Sequence, residues 1–100
     1  MTHDEILSEH IGAHVAELFR AFSDTSRVRL LSAIIGRELN VTALAQAVGI
    51  SESAVSHHLR GLRQMGLVLS RRNGKEVYYR MEDEHLIALF QQGVRHIKDG

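Results

Sequence analysis

Residues 41–68 read VTALAQAVGISESAVSHHLRGLRQMGLV, and the fold turns on how this stretch divides. Thr42 is a candidate cap for a short helix, Ala43 to Val48, and Gly49 supplies the left-handed residue that ends it. Ile50 leads to Ser51, the cap of a second helix. In that helix Val55, Leu59 and Leu62 fall at i, i+4 and i+7 on one apolar face, while Ser53, Ser56, His57 and Arg60 lie largely off it. Gly66 ends the second helix. A short helix, a glycine turn and a second helix with a polar outer face make the layout of a DNA-reading helix-turn-helix.

The flanking sequence completes the motif. Residues 67–81, LVLSRRNGKEVYYRM, hold two β-rich runs around Arg71-Arg72-Asn73-Gly74-Lys75, and Asn-Gly between such runs signals a hairpin. A basic-tipped hairpin directly after a helix-turn-helix makes a wing. Upstream, Asp4 is a candidate cap for a first helix that runs to about Phe22, with Ile6, Leu7, Ile11, Val15, Leu18, Phe19 and Phe22 in helical spacing. Residues 23–26, SDTS, read as a break with cap residues. A further helix carries Val28, Leu30, Leu31, Ile34 and Ile35 and stops near Gly36. Residues 83–100, DEHLIALFQQGVRHIKDG, return to helical period. The expected fold is mainly α with a β-hairpin wing: helix, helix, helix, helix, hairpin, helix, in one winged-helix domain over residues 1–100.

Composition narrows the function. One hundred residues, 44% apolar and 24% charged, suit one modest core in a soluble chain. No apolar run approaches the roughly 18–20 residues of a membrane span. The start, MTHDEILSEH, is polar and acidic, which predicts neither a secretory signal nor a transit peptide and makes the cytoplasm the default location. The absence of cysteine excludes disulfides, thiolate catalysis and thiolate metal sites. The zero net charge hides a local excess. Residues 60–80 hold Arg60, Arg63, Arg71, Arg72, Lys75 and Arg80 against one acid, Glu76, as expected of a polyanion-binding face.

The second helix of the motif should enter the major groove with its N-terminal half. Ser53, Ser56 and His57 can reach base edges or phosphates there, Arg60 a phosphate or a guanine, and Thr42 the backbone beside them. Arg71, Arg72 and Lys75 at the wing tip can follow the backbone into a minor groove. Any one of these also reads as plain surface. Their joint placement is what predicts double-stranded DNA as a partner.

Three stretches together, LFRAFSDTSRVRLLSAI, VTALAQAVGISESAVSHHLRGLRQMGLV and RRNGKEVYYRM, resemble the ArsR/SmtB family of bacterial metal-responsive repressors, over about residues 15–99. The resemblance implies a winged-helix homodimer, joined through its first and last helices, that binds a palindromic operator and leaves it when an inducer binds. The family's Ser-His pair falls on Ser56 and His57. Arsenic- and cadmium-sensing members carry cysteines in a segment resembling ELCVCDLA. Here that segment is ELNVTALA, with Asn40 and Thr42 at the two positions, so a soft-metal thiolate site there is ruled out.

The last helix has a carboxylate and an imidazole at each end: Asp83 and His85, then His96 and Asp99. Eleven residues separate the histidines, which places them on one side of the helix but about 16 Å apart along its axis. Zinc–nitrogen bonds are about 2 Å, so one helix cannot close both ends on one ion. Two antiparallel copies crossing near Phe90 and Gln91 would bring the Asp83/His85 end of one to the His96/Asp99 end of the other, giving two equivalent sites per dimer. Spacing alone leaves plain capping open as well. Asp83 suits a helix N-cap, and a histidine suits a helix C-terminus.

The resemblance favours the metal. Zinc-sensing members carry Asp-x-His at the start of this helix and His-x-x-His or His-x-x-Glu near its end, so Asp99 departs as the shorter carboxylate. Nitrogen and oxygen donors suit Zn2+, with Ni2+ or Co2+ as alternatives. His3 is a candidate extra ligand, because nickel- and cobalt-sensing relatives can recruit an N-terminal histidine. His10 and His14, an i, i+4 pair, read as chelating or as surface residues, and His58 has no assigned role. In the resembling zinc sensors the C-terminal histidine also donates to a carbonyl at the end of the recognition helix, which implies coupling between His96 and Gly66 here. A winged-helix regulator answering a non-metal signal is the competing reading. An enzyme is disfavoured, because the chain offers no obvious cleft or general base and no small organic substrate is expected.

Overall fold

The computed structural model describes residues 6–100. Five helices and a small sheet follow in the order α1 (Glu9–Ala21), α2 (Thr25–Ala33), β1 (Leu39–Asn40), α3 (Val41–Val48), α4 (Glu52–Gln64), β2 (Leu69–Asn73), β3 (Glu76–Arg80) and α5 (Glu84–Lys98). This is the winged helix-turn-helix that the pattern predicts, with one strand added. The two-residue β1 pairs antiparallel with β3, Leu39 against Tyr79 and Asn40 against Tyr78, so the sheet runs β1-β3-β2.

Local chemistry sets the boundaries. Gly49 caps α3 at φ 79°, and the Ser51 Oγ accepts from the Ala54 amide to start α4. Those two residues turn the chain from one helix of the motif to the next. At the far end of α4 the Gly66 amide donates to Arg63 and the Leu67 amide to Leu62. With Gly66 at φ 75° this is a Schellman motif, which satisfies the last carbonyls and aims the chain into the wing.

Two caps differ from expectation. Asn40, not Thr42, caps α3: its Oδ1 accepts from the Ala43 amide at 2.8 Å. The reason is tertiary. Pairing of β1 with β3 holds Asn40 in the extended conformation an N-cap needs, and helical geometry then starts at Val41, ahead of Thr42. Asp4 lies outside the described residues, and α1 begins only at Glu9, where the Ser8 Oγ accepts from the Ile11 amide at 3.2 Å. Ile6 and Leu7 thus precede the helix. Replacing Asn40 by Ala should lower the unfolding free energy by about 0.5–2 kcal/mol through loss of the cap alone. Urea denaturation of the two proteins at equal concentration checks it.

The core lies under the helix-turn-helix. Leu30, Leu31, Ile34, Leu44, Val55, Leu59 and Leu62 are fully buried, with Leu67, Val68, Met81 and Phe90 nearly so. Val55, Leu59 and Leu62 are the i, i+4, i+7 face read from the sequence, and their burial fixes which side of α4 faces outward. Helix α1 joins this core only near its C-terminus, through Leu18, Ala21 and Phe22. The rest of α1 projects. The radius of gyration is 15.3 Å, against about 13 Å for a compact 100-residue domain.

Candidate nucleic-acid interface and metal ligands

The outer face of α4 carries Ser53, His57 and Arg60 exposed and Ser56 half-buried. These are the four residues expected to face DNA, and the structure brings them together on one surface. A shallow cavity of about 270 Å³ beside them is lined by Arg27, His57, His58, Arg60, Gly61 and Gln64. Arg27, from the first turn of α2, is an addition. Nothing local in its sequence links it to α4, 30 residues on. The Asp24 carboxylate caps α2 through the Arg27 amide at 3.0 Å and sits 3.8 Å from the His58 ring. That hydrogen bond, with His58 and Arg27 close by, holds the Asp24 carboxyl below its ordinary value. His58 thus ties α4 to the start of α2. Thr42 is exposed, and its hydroxyl donates to Glu52 across the turn at 3.3 Å.

The wing is a two-residue hairpin. Asn73 pairs with Glu76, so the loop residues are Gly74 and Lys75. Gly74 has φ 66°, and no described non-glycine residue has positive φ. Glycine first with an ordinary second residue is the type II′ pattern, and Asn73 therefore ends the strand where Asn-Gly had suggested a turn centre. Arg72 and Lys75 are exposed and make no ion pair among the described residues.

Arg71 is held differently. Its Nε donates to Glu38 Oε1 at 2.8 Å, its Nη2 lies 2.8 Å from the same oxygen, and the guanidinium stands 5.1 Å from the Tyr78 ring centre. Arg80 reaches Glu38 Oε2 at 3.2 Å. The bond from Arg71 and the charges of both arginines hold the Glu38 carboxyl below its usual value against the effect of burial. A depressed folded value means that this contribution to holding the wing is full above the ordinary carboxylate range. It is lost as pH falls through the folded value. Sequence reading missed Glu38, because its partners lie 33 and 42 residues away. Asn40 adds a second tie to the wing through Glu76 at 3.0 Å.

Three residues after Arg80, Asp83 caps α5, accepting from the His85 and Leu86 amides at 2.9 and 3.2 Å through Oδ1. The His85 ring is fully exposed, with Nδ1 3.6 Å from that oxygen. Both cap bonds use Oδ1, so Oδ2 takes part in neither. His96 and Asp99 stand exposed at the far end, Asp99 as the C-cap. Among the described residues of one chain, no three His, Cys, Asp or Glu side chains gather as a metal-binding set. The structure thus brings Asp83 to His85 and leaves His96 and Asp99 at a distance, in keeping with the helix geometry. His3 lies outside the described residues. Phe90 turns inward, its ring centre 6.0 Å from that of Phe22, while Ala88 and Gln92 share the exposed side with His85 and His96.

An apolar surface spans α1 and α5. Ile11, Val15 and Phe19 are 47%, 37% and 52% exposed and Ile97 is 78% exposed. Between the helices runs a groove of about 730 Å³ that Phe19, Phe22, Leu89, Gly93, His96 and Ile97 help to line. His10 and His14 stack edge to face on α1 with ring centres 4.6 Å apart. Near the Asp83 end a smaller cavity is lined by Gly66, Leu67, Leu69, Glu82 and Asp83, so the start of α5 and the end of α4 are neighbours. No described helix is long and apolar enough to cross a membrane.

Comparison with known proteins places the chain. Residues 24–70 match the profile of the bacterial regulatory proteins of the arsR family. The chain is 44% identical over 95 residues to a transcriptional repressor SmtB homolog of Synechocystis sp., covering 95% of this chain and 72% of that one. It is 38% identical over 90 residues to the HTH-type transcriptional regulator NmtR of Mycobacterium tuberculosis, covering 90% and 75%. Among solved structures, the AntR antimony-specific transcriptional repressor superposes with a TM-score of 0.87 at 29% identity, over 99% of this chain and 90% of that one. The solution structure of apo-NmtR gives 0.80 at 36% identity, over 95% and 80%.

Proposed function

We propose, from the premise that the chain belongs to the bacterial ArsR family of regulatory proteins and is therefore a transcriptional regulator and not an enzyme, that it is a metal-responsive repressor. As a homodimer it binds a palindromic operator in the cytoplasm, and zinc releases it. The observation that carries the metal reading is the start of α5: a capping carboxylate with one oxygen outside the cap and a fully exposed imidazole beside it.

The donor set fits a divalent ion. Two carboxylates and two imidazoles make a nitrogen–oxygen shell without sulfur, suited to zinc and also to nickel or cobalt. Such an ion would supply a charged cross-link between protomers, and the chain's own residues do the rest. Asp83 and His85 hold one half of the site, and His96 and Asp99 of a second copy supply the other. The exposed apolar surface of α1 and α5 gives that second copy a place to sit. A ligand histidine commonly donates its other ring N–H to a nearby acceptor. Gly66 and Asp83 line one cavity, so an imidazole arriving from the partner's α5 would stand beside the end of the reading helix, where the family resemblance implies that the Gly66 carbonyl accepts it. That contact would bias the spacing of the two winged domains.

DNA binding is tested first. Ser56→Ala and His57→Ala should each weaken specific binding by about 1–3 kcal/mol if they touch base edges. Arg72→Ala should weaken all sequences alike and flatten the salt dependence. Fluorescence anisotropy with a selected palindromic duplex and a scrambled one separates the two effects. Silence of both Ser56 and His57 in an intact dimer would remove α4 from the groove.

A further inference from the structure

We infer that Glu38 is an internal substitute for a DNA phosphate, withholding Arg71 from the duplex and thereby limiting sequence-independent binding. The inference rests on the DNA-binding reading of the wing and concerns which of its cations act.

Three observations carry it. First, Arg71 and Arg72 are adjacent on β2, paired with Tyr78 and Val77, so their side chains leave opposite faces of the strand. Second, among the described residues only Arg71 of the two is engaged. Its guanidinium presents Nε and Nη2 to Glu38, with three N–O distances of 2.8, 3.0 and 2.8 Å, and lies against the Tyr78 ring. Third, Glu38 is fixed from its other side by Arg80 at 3.2 Å and stands next to β1, whose pairing with β3 ties it to the wing base. The carboxylate is therefore held in place and cannot simply follow Arg71 toward solvent.

The chemistry follows from the fork. Arg71 turns to Glu38 the Nε/Nη2 edge that a guanidinium turns to a phosphate in a bidentate contact, with Nε donating to both carboxylate oxygens and Nη2 in ion-pair contact. A phosphate would have to displace a prepositioned carboxylate to gain that edge. Among the described residues, Arg72 and Lys75 carry no such commitment. Sequence-independent binding comes almost wholly from cations that displace counterions, so removing one cation per wing from that count lowers the background without touching the base-reading face of α4. Three wing cations in the sequence then act as two.

The salt dependence of binding to a scrambled duplex tests this, with wild type, Arg71→Gln, Arg72→Gln, Glu38→Gln and the double variant Glu38→Gln/Arg71→Gln. Arg72→Gln should reduce the slope of log K against log salt by about 0.9 per engaged wing. Arg71→Gln should leave it within error of wild type. Glu38→Gln should steepen it by about 0.9 per wing, an extra loss of about threefold in affinity between 50 and 200 mM salt, and the double variant should return to wild type. Glu17→Gln on α1 raises the net charge as Glu38→Gln does and should change nothing. Equal flattening by Arg71→Gln and Arg72→Gln overturns the inference, as does a Glu17→Gln effect matching that of Glu38→Gln. Should Glu38→Gln disturb folding, the Arg71→Gln and Arg72→Gln pair decides alone. A wild type that binds no duplex refutes the DNA reading itself. A wild type that binds, with equal arginine slopes, refutes only the role of Glu38.

Discussion

A chain carrying His85→Ala and His96→Ala together should bind zinc more than about 100-fold more weakly than wild type and stay on its operator when zinc is added. The magnitude is bounded from below, because losing even an outer partner of a metal ligand costs about 10–100-fold. In the proposed site these changes remove one ligand from each half. Two carboxylates remain per site, and Asp83 Oδ1 is already shared between two amides. Folding should be untouched, since the His85 ring is fully exposed with Asp83 beside it, and His96 is exposed near the end of α5. Competition with a chromophoric chelator gives the affinity, and gel filtration confirms the dimer. Retention of two tight zinc ions per dimer in this variant would remove α5 from the metal site.

The second large effect falls on stability. Leu62→Ala should lower the unfolding free energy by about 2–5 kcal/mol, the range for a fully buried leucine whose neighbours only partly collapse into the space left. Leu62 has no exposed surface, and its carbonyl accepts the Leu67 amide that turns the chain out of α4. In a small domain worth about 5–15 kcal/mol that is a large share. Operator binding should fall with it, because the same face of α4 that packs inward fixes where Ser56 and His57 point. Urea denaturation at matched protein concentration measures the loss. A change below about 1 kcal/mol would mean that α4 does not rest on this core.

Local chemistry was legible where it was decided locally. The Val55–Leu59–Leu62 face, Gly49, Ser51 and the basic hairpin each rest on spacings of a few residues, and the structure has all of them. What the sequence hid depends on distant partners. Strand β1 is two residues long, too short for any periodicity, and exists because β3 lies beside it. That pairing moved the α3 cap from Thr42 to Asn40. Glu38 looks like ordinary surface until Arg71 and Arg80 are folded onto it. Arg27 and His58 meet α4 and Asp24 through the same kind of long-range packing. The first helix shows the converse difficulty. The sequence pattern points to Asp4 as its cap, whereas the described helix is capped by Ser8. The candidate metal residues were legible as a pattern on α5, but their two halves lie too far apart on one helix to meet. Their meeting depends on a second copy of the chain.

Zinc titrated into the metal-free protein bound to a fluorescent palindromic duplex, selected by that protein from a random pool, shows whether metal releases the repressor from DNA. Dissociation should be complete at one zinc per chain, be reversed by a chelator, and be accompanied by an equal weakening of zinc affinity when operator is present. A coupling of about 1–3 kcal/mol is usual for such linked sites. Operator affinity that is the same with and without saturating zinc, nickel or cobalt would contradict it.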